Sequence, residues 1–173
     1  MLFLSNWETL LRLGIATALG ALFGFERNKS AKPVGIRTHV LICLTSCIVA
    51  MISAYGFADY EASVALILGK EAVVHPDPAR LVVGVLSGIG FIGAGIIWKT
   101  PSGSVHGITT AAAIFLLSAL GIGVGLGMYF LVAAATVIAI INMMADDLIL
   151  WYRKKREACR EKRTPEKSVK SRK

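Results

Sequence analysis

The sequence predicts an all-α fold: a polytopic membrane helix bundle of about five transmembrane helices, with the N-terminus outside and the C-terminus cytoplasmic. Three observations carry that expectation. Of 173 residues, 55% are hydrophobic and only 17% are charged, which is more apolar surface than one water-soluble core can bury. The mean hydropathy is +0.65. The apolar residues also fall into runs of membrane-spanning length with mostly short connections, so lipid is the partner that satisfies them.

The elements follow in order. A first span is expected over residues 9–25, stopped by Glu26-Arg27, and a second over 34–57, entered after Lys32-Pro33 and left at Asp59. The third, over 79–98, begins after His75-Pro76-Asp77-Pro78, where proline is tolerated in a first helical turn, and ends at Trp98-Lys99. The fourth, over 107–122, is short unless Gly121 to Gly127 extends it; the fifth covers 128–151. Residues 1–152 thus form a transmembrane domain, and 153–173 a basic tail expected to be cytoplasmic and disordered.

Charge orients the spans. Arg27, Lys29, Lys32 and Arg37 mark the first connection, Lys99 the third, and the tail is densely basic, so these segments should face the cytoplasm. The opposite side carries Glu8, Asp59, Glu61, Glu71 and Asp77 against Arg12, Lys70 and Arg80. The tail holds 11 Lys+Arg and 3 Glu, which accounts for the whole net charge of +8. No nucleic-acid partner is therefore expected; the tail reads as an orientation signal able to rest on anionic lipid. Met1 to Asn6 lacks a basic n-region, and the first run ends in charge rather than a small-residue cleavage site, so that span should persist.

Cys43 and Cys47 lie inside a span and Cys159 in the tail, which is no disulfide framework. His39, Cys43 and Cys47 recur at i, i+4 and i+8, a stripe that a soft metal could use, but small inert cysteines are the commoner outcome, and neither metal nor cofactor is expected. Gly88-Ile89-Gly90-Phe91-Ile92-Gly93 matches the dinucleotide fingerprint without its preceding strand or its following acid, so it is rejected as a nucleotide site. Small residues that allow close helix approach explain it better. Gly84, Ser87, Gly88 and Gly95, with Gly90 and Gly93, and in the first span Gly20 and Gly24, nominate those two spans as a packed central pair or a homodimer seam.

Five short motifs occur together in order: Gly24-Phe25-Glu26-Arg27, Gly35-Ile36-Arg37-Thr38-His39, Asp77-Pro78-Ala79-Arg80, SGIGFIGAG from Ser87 to Gly95, and Gly107-Ile108-Thr109-Thr110-Ala111-Ala112. In that order and spacing the chain resembles the MgtC/SapB family from about residue 9 to residue 145. The resemblance implies a bacterial plasma-membrane protein linked to growth at low magnesium, virulence-related survival inside host cells and restraint of ATP synthase. It implies no enzymatic reaction. Two departures stand out: many members carry glutamine at the position of Gly84 and tryptophan at that of Phe115, and this chain ends at its basic tail. It is thus similar to the short SapB-type form without a C-terminal ACT-like domain.

Topology sorts the polar residues into two layers. Glu26, Arg27, Arg37, Thr38, His39, Lys99, Thr109, Thr110, Asp146 and Asp147 should lie near the cytoplasmic face, and Asp77 and Arg80, with Arg12, near the outer one. Charge near hydrocarbon is costly unless paired or wet, so Glu26 is expected to pair with Arg37 and Asp146 with another cation. Arg27, Lys99 and Asp147 fit ordinary boundary charges, and Asp77 fits a cap for the third helix. The favoured function is a non-catalytic regulator acting on another membrane protein, such as an ATP synthase subunit or a transporter. The alternative is a small-cation or proton path through Glu26, Asp77 and Asp146, which the dry mid-span segments weaken.

Overall fold

The computed structural model describes residues 4–29, 34–68, 77–143 and 145. Asp146, Asp147 and the basic tail lie outside the described residues. The chain divides into two compact units, residues 1–132 and 133–173. Everything below concerns the first, apart from the end of the last described helix.

Helix α1 covers Asn6–Lys29. It begins three residues before the expected span because the Ser5 hydroxyl accepts the Glu8 amide at 3.2 Å, a cap that places an acidic residue at the positive helix end. It runs past Phe25 because charge ends an apolar run without ending a helix. Helix α2, Ile36–Met51, passes through a π-helical turn at Ile52–Gly56 into α3, Phe57–Leu68. The helix does not stop at the expected exit, Asp59: an apolar helix continues over Ile36–Ile67, 32 residues. At 1.5 Å per residue it is about 48 Å long, well beyond a hydrocarbon core of about 30 Å.

Helix α4 covers Pro78–Ile96, with Pro78 in its first turn and the Asp77 carboxylate accepting the Ala79 amide at 3.0 Å. A hairpin follows, β1 Trp98–Lys99 paired antiparallel with β2 Val105–His106, in the register Trp98 to His106. Its rings stack across the strands with centroids 5.7 Å apart. Gly107, at φ 90°, joins the hairpin to α5; any Cβ there would run into the Ile96 carbonyl. Helix α5 covers Ile108–Gly125, reaching three residues beyond the expected end. Helix α6, Tyr129–Met143, is apolar but short within the described residues, so the fifth span expected over 128–151 is only partly described.

Among the described residues four helices are long and apolar enough to cross a membrane, and this all-helical bundle is a membrane protein fold. Of these four, α5 is the most buried and α4 the least. Close contacts fix their directions. Gly20 lies against Val40 and Gly24 against Ile36, so α1 and α2 run antiparallel; Gly121 lies against Cys43 and Gly125 against Cys47, so α2 and α5 run parallel. Helix α4 returns antiparallel to α5 through the hairpin and meets the bundle at an apolar cluster of Val34, Ile42, Ile89 and Ile114.

Candidate functional site

The centre of the bundle is built by close backbone approach. An added Cβ would stand 2.5 Å from Val40 Cα at Gly20, 2.6 Å from Ile36 Cα at Gly24, and 2.5 Å from the Cys43 and Cys47 carbonyl oxygens at Gly121 and Gly125. Two glycine pairs at i, i+4 spacing thus seat α1 and α5 on opposite stretches of α2, the small-residue packing that suits lipid, where apolar association has no water to drive it. Between them the Ser46 and Ser118 hydroxyls share a hydrogen bond at 2.8 Å, both side chains buried. Cys43 and Cys47 are fully buried in the same seam. Among the described residues no three His, Cys, Asp or Glu side chains converge on a metal position, and His39 instead turns Nδ1 to the Gly35 carbonyl at 2.9 Å.

Among the described residues the packing expected along α4 does not form. Gly84, Gly88, Gly90 and Gly95 have nothing within 4 Å of an added Cβ, and Gly93 touches only Ala111, at 3.5 Å. Ser87 is exposed along with Gly84, Gly88, Gly90 and Gly95. The glycine-dense face of α4 looks outward, while the sparser glycines of α5, which the sequence reading passed over, occupy the core.

One end of the bundle is organised by Arg12, which is 4% exposed. Its Nη1 donates to the Gly125 carbonyl and, at 3.1 Å, to the Tyr55 hydroxyl, and its Nη2 meets Glu8 Oε1. The guanidinium carbon lies 5.0 Å from the Tyr55 ring centre. Gly125 is the last residue of α5, where orphan carbonyls collect negative potential, so a cation is well placed there. The remaining carbonyls close in a Schellman motif: Met128 N–H donates to the Gly123 oxygen at 2.9 Å and Gly127 N–H to the Val124 oxygen at 3.0 Å. Gly127 adopts φ 78° as that motif requires. Tyr55 reaches Arg12 from the π-helical turn, and such turns are frequent where a helix must re-aim a side chain. Beside Tyr55 an apolar cavity of about 260 Å³ is lined by Leu13, Ile48, Met51, Ile52 and Asp59 among others.

At this same end Asp77 is committed to capping α4, and Arg80 Nε lies 3.4 Å from its Oδ2 with both side chains largely exposed. Such a pair contributes little.

The other end carries the nominated residues of α1, α2 and α5. Glu26 does not pair with Arg37: its Oε2 stands 3.5 Å from Nε of the adjacent Arg27, and Arg37 is exposed on the first turn of α2. Arg27 is no headgroup-reaching boundary charge, being 5% exposed; His39 and Thr110 are buried, while Thr38 and Thr109 are exposed. Among the described residues Arg27 Nε and Nη1, Glu26 Oε2 and His39 Nε2 are buried without hydrogen-bond partners. Lys99 sits on the exposed hairpin.

Sequence reasoning thus underrated Arg12 and missed Tyr55, Gly121 and Gly125. A signal was present: Arg12, Ala16, Gly20, Phe23 and Arg27 share one face of α1, which a boundary charge would not.

The chain is similar in sequence to known proteins. The MgtC family model matches residues 13–149. Protein SapB of Bacillus subtilis is 37% identical over 125 residues, 70% of this chain and 49% of its own length. The protein of Escherichia coli K12 named "Putative magnesium transporter YhiD" is 39% identical over 122 residues, 70% of this chain and 53% of its own. Protein MgtC of Brucella abortus is 34% identical over 135 residues, 78% of this chain and 50% of its own. The chain therefore spans about half the length of these curated relatives. No solved structure matches. With the family model covering residues 13–149, most of the chain, the chain belongs to the MgtC family.

Proposed function

We propose that this chain is a non-catalytic regulator in the bacterial plasma membrane, binding another membrane protein through its helical faces under magnesium limitation. The observation that carries the reading is the dry, glycine-seated core. Among the described residues the charged groups gather at the two ends, and between them the Ser46–Ser118 pair is mutually satisfied. A conducting path needs polar or wet positions through the middle, and close backbone contact at Gly20, Gly24, Gly121 and Gly125 leaves no room for one along α2. The outward glycine face of α4 supports a lateral partner, since flat small-residue faces let helices approach in lipid.

The name carried by the Escherichia coli relative favours a second reading, a small-cation or proton transporter. Liposomes containing the purified chain separate the two. The regulator reading expects no Mg²⁺, K⁺ or proton flux above protein-free vesicles, and recovery of a membrane partner such as an ATP synthase subunit or a transporter from native membranes. Flux that Glu26→Gln abolishes would replace it with the transporter.

A further inference from the structure

We propose that the Arg27 end of the bundle is a binding site for a phosphate-type oxyanion, supplied by a lipid headgroup or as free phosphate. The inference stands apart from the regulator reading, because it concerns what the buried cation binds and not what the helical faces dock.

The buried face of α1 begins and ends in arginine. Arg12, Ala16, Phe23 and Arg27 are 4%, 0%, 1% and 5% exposed. The two arginines are 15 positions apart, a rise of about 22 Å along an α-helix. Because α1 runs antiparallel to both α2 and α5, opposite helix ends meet the two guanidinium groups. Arg12 meets the C-terminal end of α5 and donates to its last carbonyl. Counting the same rise back from Gly125 brings Arg27 level with Thr110, in the first turn of α5, and the contact of Gly24 with Ile36 brings it to the first turn of α2.

Arg27 therefore stands at two helix N-termini, each presenting unpaired N–H groups and positive potential. Among the described residues no side chain caps either one; Gly35 and Gly107 occupy the cap positions. A buried cation at that place has the wrong sign for its surroundings. The Glu26 carboxylate offsets it only partly, since its Oε2 stands 3.5 Å from Nε without a hydrogen bond to it. Arg27 Nε and Nη1 remain bare. Unmet donors in such a place are expensive. A tetrahedral oxyanion answers each of them: its oxygens take the arginine fork, the helix N–H groups and the buried Thr110 hydroxyl. The same antiparallel arrangement that closes the Arg12 end on the Gly125 carbonyl leaves Arg27 at helix ends of its own sign. Glu26 acts as the resident competitor.

The test uses the full chain purified in detergent free of anionic lipid. Inorganic phosphate is titrated by calorimetry in one arm; in the other, phosphatidylglycerol retention is measured by native mass spectrometry against phosphate-free dioleoylglycerol. Saturable binding in the first arm identifies free phosphate, and binding in the second alone identifies a headgroup. Arg27→Gln should weaken the binding by about tenfold or more, as loss of a charge-assisted fork implies, and Glu26→Gln should tighten it severalfold by removing the competing carboxylate. Binding in neither arm, or unchanged binding in Arg27→Gln, overturns the proposal. Should Arg27→Gln fail to fold, Glu26→Gln decides alone, and an affinity equal to that of the unaltered chain overturns it.

Discussion

The Arg12 guanidinium donates to the carbonyl of Gly125, 113 positions later, tying the first helix of the bundle to the end of its most buried one. Removing the arginine strands that carbonyl, the Tyr55 hydroxyl and the Glu8 carboxylate together. Arg12→Ala should cost about 3–5 kcal/mol, the range for breaking one partner of a buried charged network. Glu8→Gln should cost less than about 1 kcal/mol, because that carboxylate is 43% exposed. Thermal unfolding in detergent checks both; equal losses would show that the ion pair, and not the carbonyl cap, carries the effect.

The two sets of glycines should respond oppositely to a methyl group. At Gly121 a Cβ would meet the Cys43 carbonyl at 2.5 Å and Ser46 Cβ at 3.0 Å. Neither neighbour is the far end of a flexible side chain, so Gly121→Ala should destabilise by about 1–3 kcal/mol through overpacking. Gly88 has nothing within 4 Å, so Gly88→Ala should be neutral or stabilise by up to about 1 kcal/mol from helix propensity. Denaturant unfolding of the pair is the measurement. A large loss at Gly88 in the purified monomer would contradict the outward placement of that face.

These contrasts mark what the sequence could and could not convey. Asp77-Pro78 announced the start of α4 because cap chemistry is local, and the apolar runs announced membrane helices because burial in lipid is read from composition. The helix runs on past Asp59 because a charge ends hydrocarbon contact without ending a helix, and Ala, Glu and Leu in Phe57–Leu68 still favour helix. The glycine stripe of α4 was more conspicuous than Gly121 and Gly125, yet a stripe records only that close approach is allowed. Which stripe is used depends on where α2 lies. Glu26 was assigned to Arg37 because a charge near hydrocarbon needs a partner; among the described residues the cation beside it is its own neighbour Arg27.

The serine pair should show measurable but modest coupling. Ser46 and Ser118 are buried and hydrogen-bonded at 2.8 Å, and each is the other's partner, so either single alanine leaves one hydroxyl unmatched. A double-mutant cycle of Ser46→Ala and Ser118→Ala should give a coupling of about 0.6 kcal/mol, with about 1.7 as the upper range for hydrogen bonds between helices in membranes. Coupling near zero would mean that each hydroxyl finds another acceptor in its own helix.

Asp77 separates capping from ion handling. Its Oδ1 accepts the Ala79 amide at 3.0 Å, a role that needs an oxygen acceptor but no charge. Asparagine caps about as well as aspartate, and alanine does not. Asp77→Asn should therefore stay within a few tenths of a kcal/mol of the unaltered chain, and Asp77→Ala should lose about 0.5–2 kcal/mol. The weak, exposed pair with Arg80 adds little to either value. In a complementation assay at low magnesium, the cap account requires Asp77→Asn to support growth fully. Failure of Asp77→Asn to complement, with its stability intact, would show that the charge itself is used, and would shift the balance toward a cation path beginning at this residue.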